Sequence, residues 1–194
     1  MPSLAVSTAP VRNTLRRFRR NRRASAAVEF ALVAPVFFAL LFAIIETGIV
    51  FFAGQVLETA VQDSARTVLT LQAQTKNYKT PSEFKTGEVC PRIGTGIGAL
   101  FDCANGVFVD VQNYPSFANV NIIDPIDANG NFIPNMKYCP GNSGDVVVVR
   151  LYYQWPLFVT GLGYNIANLT GSKRLLTATA AFRNEPTLAN PAPC

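Results

Sequence analysis

The feature that most constrains this chain is an apolar stretch of 24 residues, Phe30–Ala53, in which Glu46 is the one ionisable side chain. Built as an α-helix, which rises about 1.5 Å per residue, this stretch reaches about 36 Å, whereas the hydrocarbon core of a bilayer is about 30 Å thick. The stretch is too long for the apolar segment of an ordinary signal peptide, and no A-x-A cleavage site ends it. The sequence therefore predicts a membrane-spanning helix over about residues 30–53.

The charges around this stretch are distributed unevenly. The residues before Ala24 include no acidic side chain and seven arginines, namely Arg12, Arg16, Arg17, Arg19, Arg20, Arg22 and Arg23. Because arginine-rich flanks stay in the cytoplasm, we expect residues 1–24 to be a cytoplasmic basic leader and the C-terminal part of the chain to lie outside. The rest of the chain holds ten basic and twelve acidic side chains, so the net charge of +5 does not come from a basic nucleic-acid-binding domain.

The composition also excludes several classes of enzyme and metal site. The chain contains no histidine, which removes Ser-His-Asp and Cys-His catalysis and the common histidine-containing metal sites. The glycine-rich segment Gly94–Gly98 lacks the Lys-Ser/Thr pair of a phosphate-binding loop. Aspartates are scattered after residue 100, and no spacing indicates that two of them converge. We therefore expect a protein that is not an enzyme and that uses neither a metal nor a cofactor.

The helical pattern continues beyond the apolar stretch. Residues 55–74 contain no proline or glycine, and their apolar residues are spaced by three or four, which places them on one face of a helix. These apolar residues are Leu57, Val61, Ala65, Val68 and Leu71. We predict one long helix over residues 25–75, interrupted or kinked near Pro35. Its first half would lie in lipid, and its second half would pack against an outer domain.

Residues 76–194 predict an extracytoplasmic α+β domain. A short helix is expected within Pro81–Leu100, with Thr80 or Ser82 near its start. Strand patterns follow in three segments, Gly106–Tyr114, Asp145–Trp155 and Lys173–Arg183. The continuous valine run of the second segment is typical of a central strand that is covered on both faces. The predicted fold class is therefore α+β, with one long N-terminal helix packed on a small antiparallel sheet.

Four cysteines, Cys90, Cys103, Cys139 and Cys194, all lie on the predicted outer side. Because disulfides persist in oxidising compartments, we expect two disulfide bonds here. Four cysteines allow three pairings, and the sequence alone does not choose among them. We favour Cys90–Cys103, which encloses the glycine-rich segment, together with Cys139–Cys194, which would tie the C-terminal tail to a loop.

Three segments of the chain together resemble one protein family. The first, Arg23–Pro35 with the letters RASAAVEFALVAP, combines a basic residue, small residues and a single glutamate that enters the apolar helix. The other two are Asp145–Pro156 and Leu175–Pro186. These segments are similar to TadE-like proteins, which are minor pseudopilins of the tight adherence (Tad, or Flp) pilus, and the resemblance spans about residues 22–186.

The resemblance implies a pilin-like fold and processing by a prepilin peptidase between Ala24 and Ser25. Ala24 stands where the family most often has glycine, and alanine is also small enough for a narrow peptidase subsite. Cleavage there would place Glu29 at position five and Phe30 at position six of the mature chain. In pilin assembly the carboxylate at position five meets the N-terminal amine of a neighbouring subunit. An unpaired carboxylate in lipid costs on the order of several kcal/mol, so this pair would select the packing register.

The resemblance also implies a location, a function and partners. The protein would lie in the bacterial inner membrane as a single-pass protein and would act in the assembly or initiation of Tad/Flp pili, which serve adhesion and surface colonisation. Its partners would be the major Flp-type pilin, other minor pseudopilins, the membrane assembly platform and the prepilin peptidase. It could later enter the pilus itself.

Other interpretations stay open from the sequence. Glu29 also suits an interfacial carboxylate that the helix dipole favours, and Glu46 is expected either at the outer membrane boundary or in a pair with another subunit. The arginine run is expected to be a topology determinant alone, with specific binding of lipid or a partner as the alternative. The whole chain is alternatively an unprocessed, signal-anchored protein whose outer domain binds a ligand or scaffolds a complex.

Overall fold

The computed structural model describes residues 25–94, 99–160 and 164–186 of the 194-residue chain. The chain divides into two compact units, of which the first ends at Ile44 and the second begins at Ile45. The described residues of the first unit form the N-terminal part of a long helix, α1 (Ser25–Leu69). The second unit combines the rest of α1 with a three-stranded antiparallel sheet, so the predicted α+β class is confirmed.

Helix α1 comprises 45 residues and includes Pro35 in its interior. The sequence predicts that the helix is either interrupted or kinked near this proline. The structure shows no interruption there, because α1 runs through Pro35 as one helix. Proline removes one backbone donor from a helix, and membrane helices tolerate this loss where local adjustments satisfy the freed carbonyl. The apolar stretch is therefore one continuous helical element.

The end of α1 lies at Leu69, earlier than the predicted end near Thr75. The reason is Leu71, whose backbone takes a left-handed conformation with a φ of 60°. This conformation is unfavourable for a residue with a Cβ atom, and burial of the Leu71 side chain to 3% exposure offsets the penalty. A separate turn of helix, α2 (Gln72–Thr75), follows.

Within the described residues, the sheet consists of three strands, β1 (Val107–Tyr114), β2 (Val146–Pro156) and β3 (Lys173–Arg183). Their spatial order is β1-β2-β3, and both pairings are antiparallel. Val149 of β2 lies opposite Val111 of β1, and Leu151 lies opposite Ala178 of β3. The three strand segments therefore match those predicted from the sequence, and the valine-rich strand is central.

One face of the sheet packs against α1 in a shared hydrophobic core. The buried residues that α1 contributes to this core are Val50, Ala53, Leu57, Ala60, Val61, Ala65 and Val68. They recur every three or four residues and so lie on one face of the helix. Val109, Val111 and Leu151 face them from the sheet and are almost completely buried. The predicted apolar stripe and its packing against the outer domain are confirmed.

The opposite face of the sheet is covered by the connection between β1 and β2. Phe132 of this connection packs against Phe108 and Tyr152, with ring centroids 4.9 and 5.8 Å apart. Leu169 and Leu175 are buried in the same cluster as Tyr152. Strand β2 is therefore covered on both faces, which explains why its apolar residues run continuously instead of alternating.

A helical segment in three parts lies between α2 and β1. The parts are α3 (Pro81–Phe84), a π-helical turn (Lys85–Val89) and α4 (Cys90–Ile93). The Thr80 side chain accepts a hydrogen bond from the Glu83 N–H at 3.2 Å, and the Glu83 carboxylate accepts one from the Lys79 N–H at 2.7 Å. This reciprocal cap fixes the start of the segment, as the sequence suggested for Thr80. The helical segment ends at Ile93, before the predicted limit at Leu100.

A disulfide bond joins α4 to the short helix α5 (Cys103–Gly106), which leads into β1. The bonded residues are Cys90 and Cys103, whose Cα atoms are 5.7 Å apart, and this is the pairing that we favoured from the sequence. The bond holds the helical segment close to the start of the sheet. Cys194 lies outside the described residues, so the Cys139–Cys194 pairing stays a prediction.

Candidate functional site

The N-terminal part of α1 exposes its apolar side chains. In the described part of the first unit, the exposed large hydrophobic residues are Val28, Phe30, Leu32, Val33, Val36, Phe37, Phe38, Leu40, Leu41, Phe42 and Ile44. A contiguous apolar surface of this kind is unfavourable in water and suits lipid. Among the described residues, α1 is the one helix that is long and apolar enough to cross a membrane, with a mean hydropathy of 2.6 over its apolar window. The structure is therefore consistent with membrane anchoring through α1.

The predicted processing and assembly residues lie at the start of α1. Ala24 falls outside the described residues, and Ser25 is the first residue of α1. Glu29 and Phe30 are both exposed, and Phe30 has 68% of its surface exposed. The first turn of α1 contains no acidic residue, so Glu29 lies just beyond the turn in which the helix dipole acts most strongly. An exposed carboxylate on an apolar helix surface is accessible to a group on another molecule.

Glu46, the one ionisable residue of the apolar stretch, is only 7% exposed. Its carboxylate accepts hydrogen bonds from the backbone N–H groups of Phe158 and Val159, with 3.1 Å between the Val159 nitrogen and Oε2. The hydroxyl groups of Thr47 and Tyr164 form a further hydrogen bond beside it. The carboxylate is therefore used within its own subunit, where it holds the loop after β2 (residues 157–160), and not in a pair with another subunit. The expected position of Glu46 at the outer membrane boundary stays a prediction.

A signal for this role of Glu46 was present in the sequence. Glu46 precedes Val50 by four residues, Ala53 by seven and Leu57 by eleven, so it extends the core-facing stripe of α1 by one turn. An acid on that stripe must find donors inside the domain, because an unpaired buried carboxylate is strongly unfavourable. The identity of the donors had no sequence signal, since backbone N–H groups in a distant loop leave no pattern.

The loop after β2 combines this anchor with an exposed aromatic side chain. Leu157 is buried, and the next residue, Phe158, has 85% of its surface exposed. Lys173, which lies opposite Pro156 in the β2–β3 pairing, is exposed at the same end of the sheet. The hydrogen bonds to Glu46 hold the backbone of the loop and keep the Phe158 ring directed outward.

A buried ion pair connects β1 and β2 on the sheet face away from α1. Arg150 lies opposite Asp110, and its Nη2 and Nε atoms are 2.6 and 3.0 Å from Oδ2 of Asp110. The side chain of Gln112 donates to both Asp110 oxygens, and the Lys137 backbone N–H donates to Oδ1 at 2.8 Å. Both carboxylate oxygens are therefore occupied by donors. The pair fastens the β1–β2 connection to the sheet rather than presenting a free base.

A cavity of about 220 Å³ adjoins this ion pair. Its wall includes Arg150 and Tyr152 from β2 and Ile123, Asp124 and Ile133 from the β1–β2 connection. Ile123 and Ile133 are large exposed hydrophobic residues. The wall also includes Lys137, so apolar side chains lie beside one carboxylate and two cationic groups, an arrangement that suits a small amphipathic ligand or a side chain of a partner. Within the residues that the structure describes, no cluster of acidic residues and cysteines could hold a metal ion.

A second buried carboxylate, Glu88, lies in the π-helical turn and is 1% exposed. Lys76 Nζ and Arg92 Nη1 lie 2.5 and 2.8 Å from its oxygens, and the Tyr78 hydroxyl donates to it at 3.0 Å. Burial acts to raise the pKa of Glu88, but the hydrogen bonds from Lys76, Tyr78 and Arg92 outweigh it and hold the pKa below its ordinary value. The hydrogen bond to Glu88 in turn raises the pKa of Lys76. This cluster ties the helical segment to the chain that follows α2.

Comparisons with known proteins address the N-terminal part of the chain. The comparison with curated proteins and the comparison with solved structures gave no match. The strand segments that resemble the family by their sequence, β2 and β3, lie beyond the residues matched by a family model. Over residues 24–66, which include Ser25, Glu29 and most of α1, the chain matches the model of the TadE-like protein family, and this confirms the family resemblance of its N-terminal motif.

Proposed function

We propose that this protein is a minor pseudopilin that acts in the assembly or initiation of Tad/Flp pili and has no enzymatic activity. The observation that carries the proposal is the match of residues 24–66 to TadE-like proteins. The exposed apolar surface of α1 supports it, because a pilin-like helix lies in the bilayer before assembly and packs against other helices afterwards. The Tad pilus, which serves adhesion and surface colonisation, is the context that the family name suggests.

In this proposal α1 anchors the protein in the bacterial inner membrane as a single span. The basic residues 1–24 stay in the cytoplasm, and the domain from residue 76 onward lies outside it. The Cys90–Cys103 disulfide supports this orientation, because such bonds persist in oxidising compartments. The seven arginines act as a topology signal for the precursor.

Processing then converts the precursor into a subunit that can assemble. A prepilin peptidase cuts between Ala24 and Ser25, which removes the arginines and leaves a cationic amine on Ser25. The Glu29 carboxylate, which is exposed on α1, accepts the N-terminal amine of a neighbouring subunit. That neighbour is the major Flp-type pilin or another minor pseudopilin, brought together at the membrane assembly platform. Because an unpaired carboxylate in lipid is unfavourable, the pair selects one packing register.

The intact mass of the protein tests this proposal directly. We expect the protein purified from membranes of cells with an active prepilin peptidase to begin at Ser25, and that from peptidase-deficient cells to begin at Met1. Ala24→Gly should be processed as well as the wild type, whereas Ala24→Phe should stay uncut because its side chain exceeds a small subsite. A protein that keeps Met1 in piliated cells would contradict the processing step.

The cavity beside the Asp110–Arg150 pair favours a second candidate function. In that alternative, the protein is an unprocessed, signal-anchored protein whose outer domain binds a ligand or scaffolds a complex. The chain would then keep residues 1–24, and Glu29 would contribute little. The same mass measurement therefore separates the two functions.

A further inference from the structure

We propose that the loop after β2 forms a second membrane contact, in which the Phe158 ring inserts into the outer surface of the phospholipid bilayer beside α1. This inference rests on the proposed membrane anchoring through α1. It adds a direct contact between the outer domain and lipid, which neither the family match nor the sequence motif indicates.

The position of the loop along α1 follows from its hydrogen bonds. The backbone N–H groups of Phe158 and Val159 both donate to the carboxylate of Glu46. The exposed apolar surface of α1 continues beyond Glu46 to Phe51 and Phe52, which are 62% and 54% exposed. Phe52 lies about 9 Å farther along the helix axis than Glu46, at about 1.5 Å per residue. The loop is therefore level with helix residues whose exposed side chains are apolar.

The position of the loop beside the exposed apolar residues of α1 explains why the Phe158 side chain is exposed. At 85%, its exposure is the highest among the large hydrophobic residues that the structure describes. The ring cannot turn inward freely, because Leu157 beside it is buried and the backbone N–H groups of Phe158 and Val159 are held by Glu46. In water such a ring is unfavourable, whereas at a bilayer surface it leaves water without any rearrangement of the loop.

The polar residues around the loop also suit contact with a bilayer surface. Lys173 is exposed opposite Pro156, so a cation lies two residues from Phe158 across the β2–β3 pair. Tyr164 is half-buried, and its hydroxyl bonds to Thr47 of α1. Aromatic rings with a nearby lysine are typical of the membrane–water interface, where the ring enters the acyl boundary and the ammonium group meets lipid phosphate. Phospholipid is therefore the occupant that we assign to this surface.

Tryptophan fluorescence in vesicles tests this contact with the full-length chain. The protein has one tryptophan, Trp155, which is buried to 7% exposure and supplies the background signal. Three variants are reconstituted separately into vesicles of phosphatidylcholine and phosphatidylglycerol that contain brominated lipid. Phe158→Trp probes the loop, and Phe37→Trp probes the apolar surface of α1. Phe117→Trp is the matched control, because Phe117 is 58% exposed and follows the end of β1 that pairs with Val146, at the other end of β2.

We expect bromine placed near the headgroups to cause a large loss of fluorescence at Phe158→Trp and little loss beyond the Trp155 background at Phe117→Trp. Bromine placed deep in the acyl chains should quench Phe37→Trp. If Phe37→Trp is quenched while Phe158→Trp behaves like Phe117→Trp, the loop contact is overturned and anchoring through α1 stands. If neither Phe37→Trp nor Phe158→Trp is quenched, anchoring itself fails and the loop contact fails with it.

Discussion

At the scale of single residues, three buried acids hold this domain together, namely Glu46, Glu88 and Asp110. Each carboxylate meets its own set of donors: backbone N–H groups for Glu46, Lys76 with Tyr78 and Arg92 for Glu88, and Arg150 for Asp110. A buried carboxylate is tolerated only when such donors replace its lost hydration. The backbone donors of Glu46 and the Arg150 donor of Asp110 lie far away along the chain, so these contacts could not be predicted from local sequence.

The Glu88 cluster predicts a dependence of stability on acid pH. The pKa of Glu88 is lowered in the folded chain, so its stabilising effect is fully present above its unfolded pKa of about 4.3 and is lost as the pH falls through the folded pKa. We expect Glu88→Gln to lower the thermal unfolding midpoint at neutral pH and to flatten its decline in acid. Tyr78→Phe should flatten the decline in part, because it removes one donor and keeps the ring beside Phe84.

Thermal melts of the detergent-solubilised chain, followed by Trp155 fluorescence from neutral to acid pH, measure this effect. Trp155 is a suitable reporter because its ring packs against Phe101 in the core, with centroids 5.7 Å apart. An acid decline as steep in Glu88→Gln as in the wild type would show that the cluster does not contribute.

At the scale of elements, the strands could be predicted closely and the helix ends could not. The valine run of β2 reflects burial on both faces, and this cause acts on every residue of the strand. The end of α1 depends instead on Leu71, where tertiary burial stabilises a left-handed backbone without the glycine that usually signals it. The π-helical turn Lys85–Val89 likewise follows from its surroundings, because Glu88 within it is drawn to donors on both sides.

Alanine is predicted to have opposite effects on stability at two helical glycines, Gly87 in the π-helical turn and Gly54 in α1. A Cβ atom at Gly87 would lie 2.8 Å from Cζ of Tyr78, whereas a Cβ atom at Gly54 of α1 has nothing within 4 Å. We expect Gly87→Ala to destabilise the domain by about 1–3 kcal/mol, because Tyr78 must move and its hydrogen bond to Glu88 is strained. Gly54→Ala should stabilise it by about 0.5–1 kcal/mol through reduced backbone freedom of the unfolded chain.

Denaturant unfolding of the two alanine variants in the same detergent measures both changes. The pair controls for the substitution itself, since both glycines lie in helical backbone. Equal shifts of the two variants would mean that Tyr78 adapts without loss and that close packing at Gly87 is unimportant for stability.

At the scale of the whole molecule, the family likeness of the N-terminal motif could be recognised from the sequence, whereas the contact between α1 and the loop after β2 could not. The arginine run, the small residues at Ala24 and Ser25, and Glu29 form a continuous sequence motif, and the family match covers its part from residue 24 onward. The hydrogen bond from the Phe158 N–H to the Glu46 carboxylate joins residues that are 112 positions apart in the chain. It forms only when the sheet is packed on α1, so local sequence does not indicate it. Removal of the leader would leave a subunit with more acidic than basic side chains, so the net charge of the precursor describes its insertion rather than its assembled state.

Under the proposed pseudopilin function, Glu29 is the acid of α1 on which pilus formation depends. Replacement by alanine leaves the N-terminal amine of a neighbouring subunit unpaired in lipid, at a cost of about 2 kcal/mol or more. We therefore expect Glu29→Ala to reduce the number of pili per cell by about tenfold or more, as counted by electron microscopy. Glu58→Ala is the matched control, because Glu58 lies later on α1, is half-buried and accepts a hydrogen bond from Gln62 at 3.1 Å.

The intact mass measured from the same cultures separates a defect in assembly from a defect in cleavage. A Glu29→Ala protein that begins at Ser25 and yields few pili would place the defect after processing, where the carboxylate meets its partner. Normal piliation with the same mature mass would show that pilus formation does not require an acid at position 29. That result would contradict the proposed pairing of Glu29 with a neighbouring amine, whereas processing between Ala24 and Ser25 would stand.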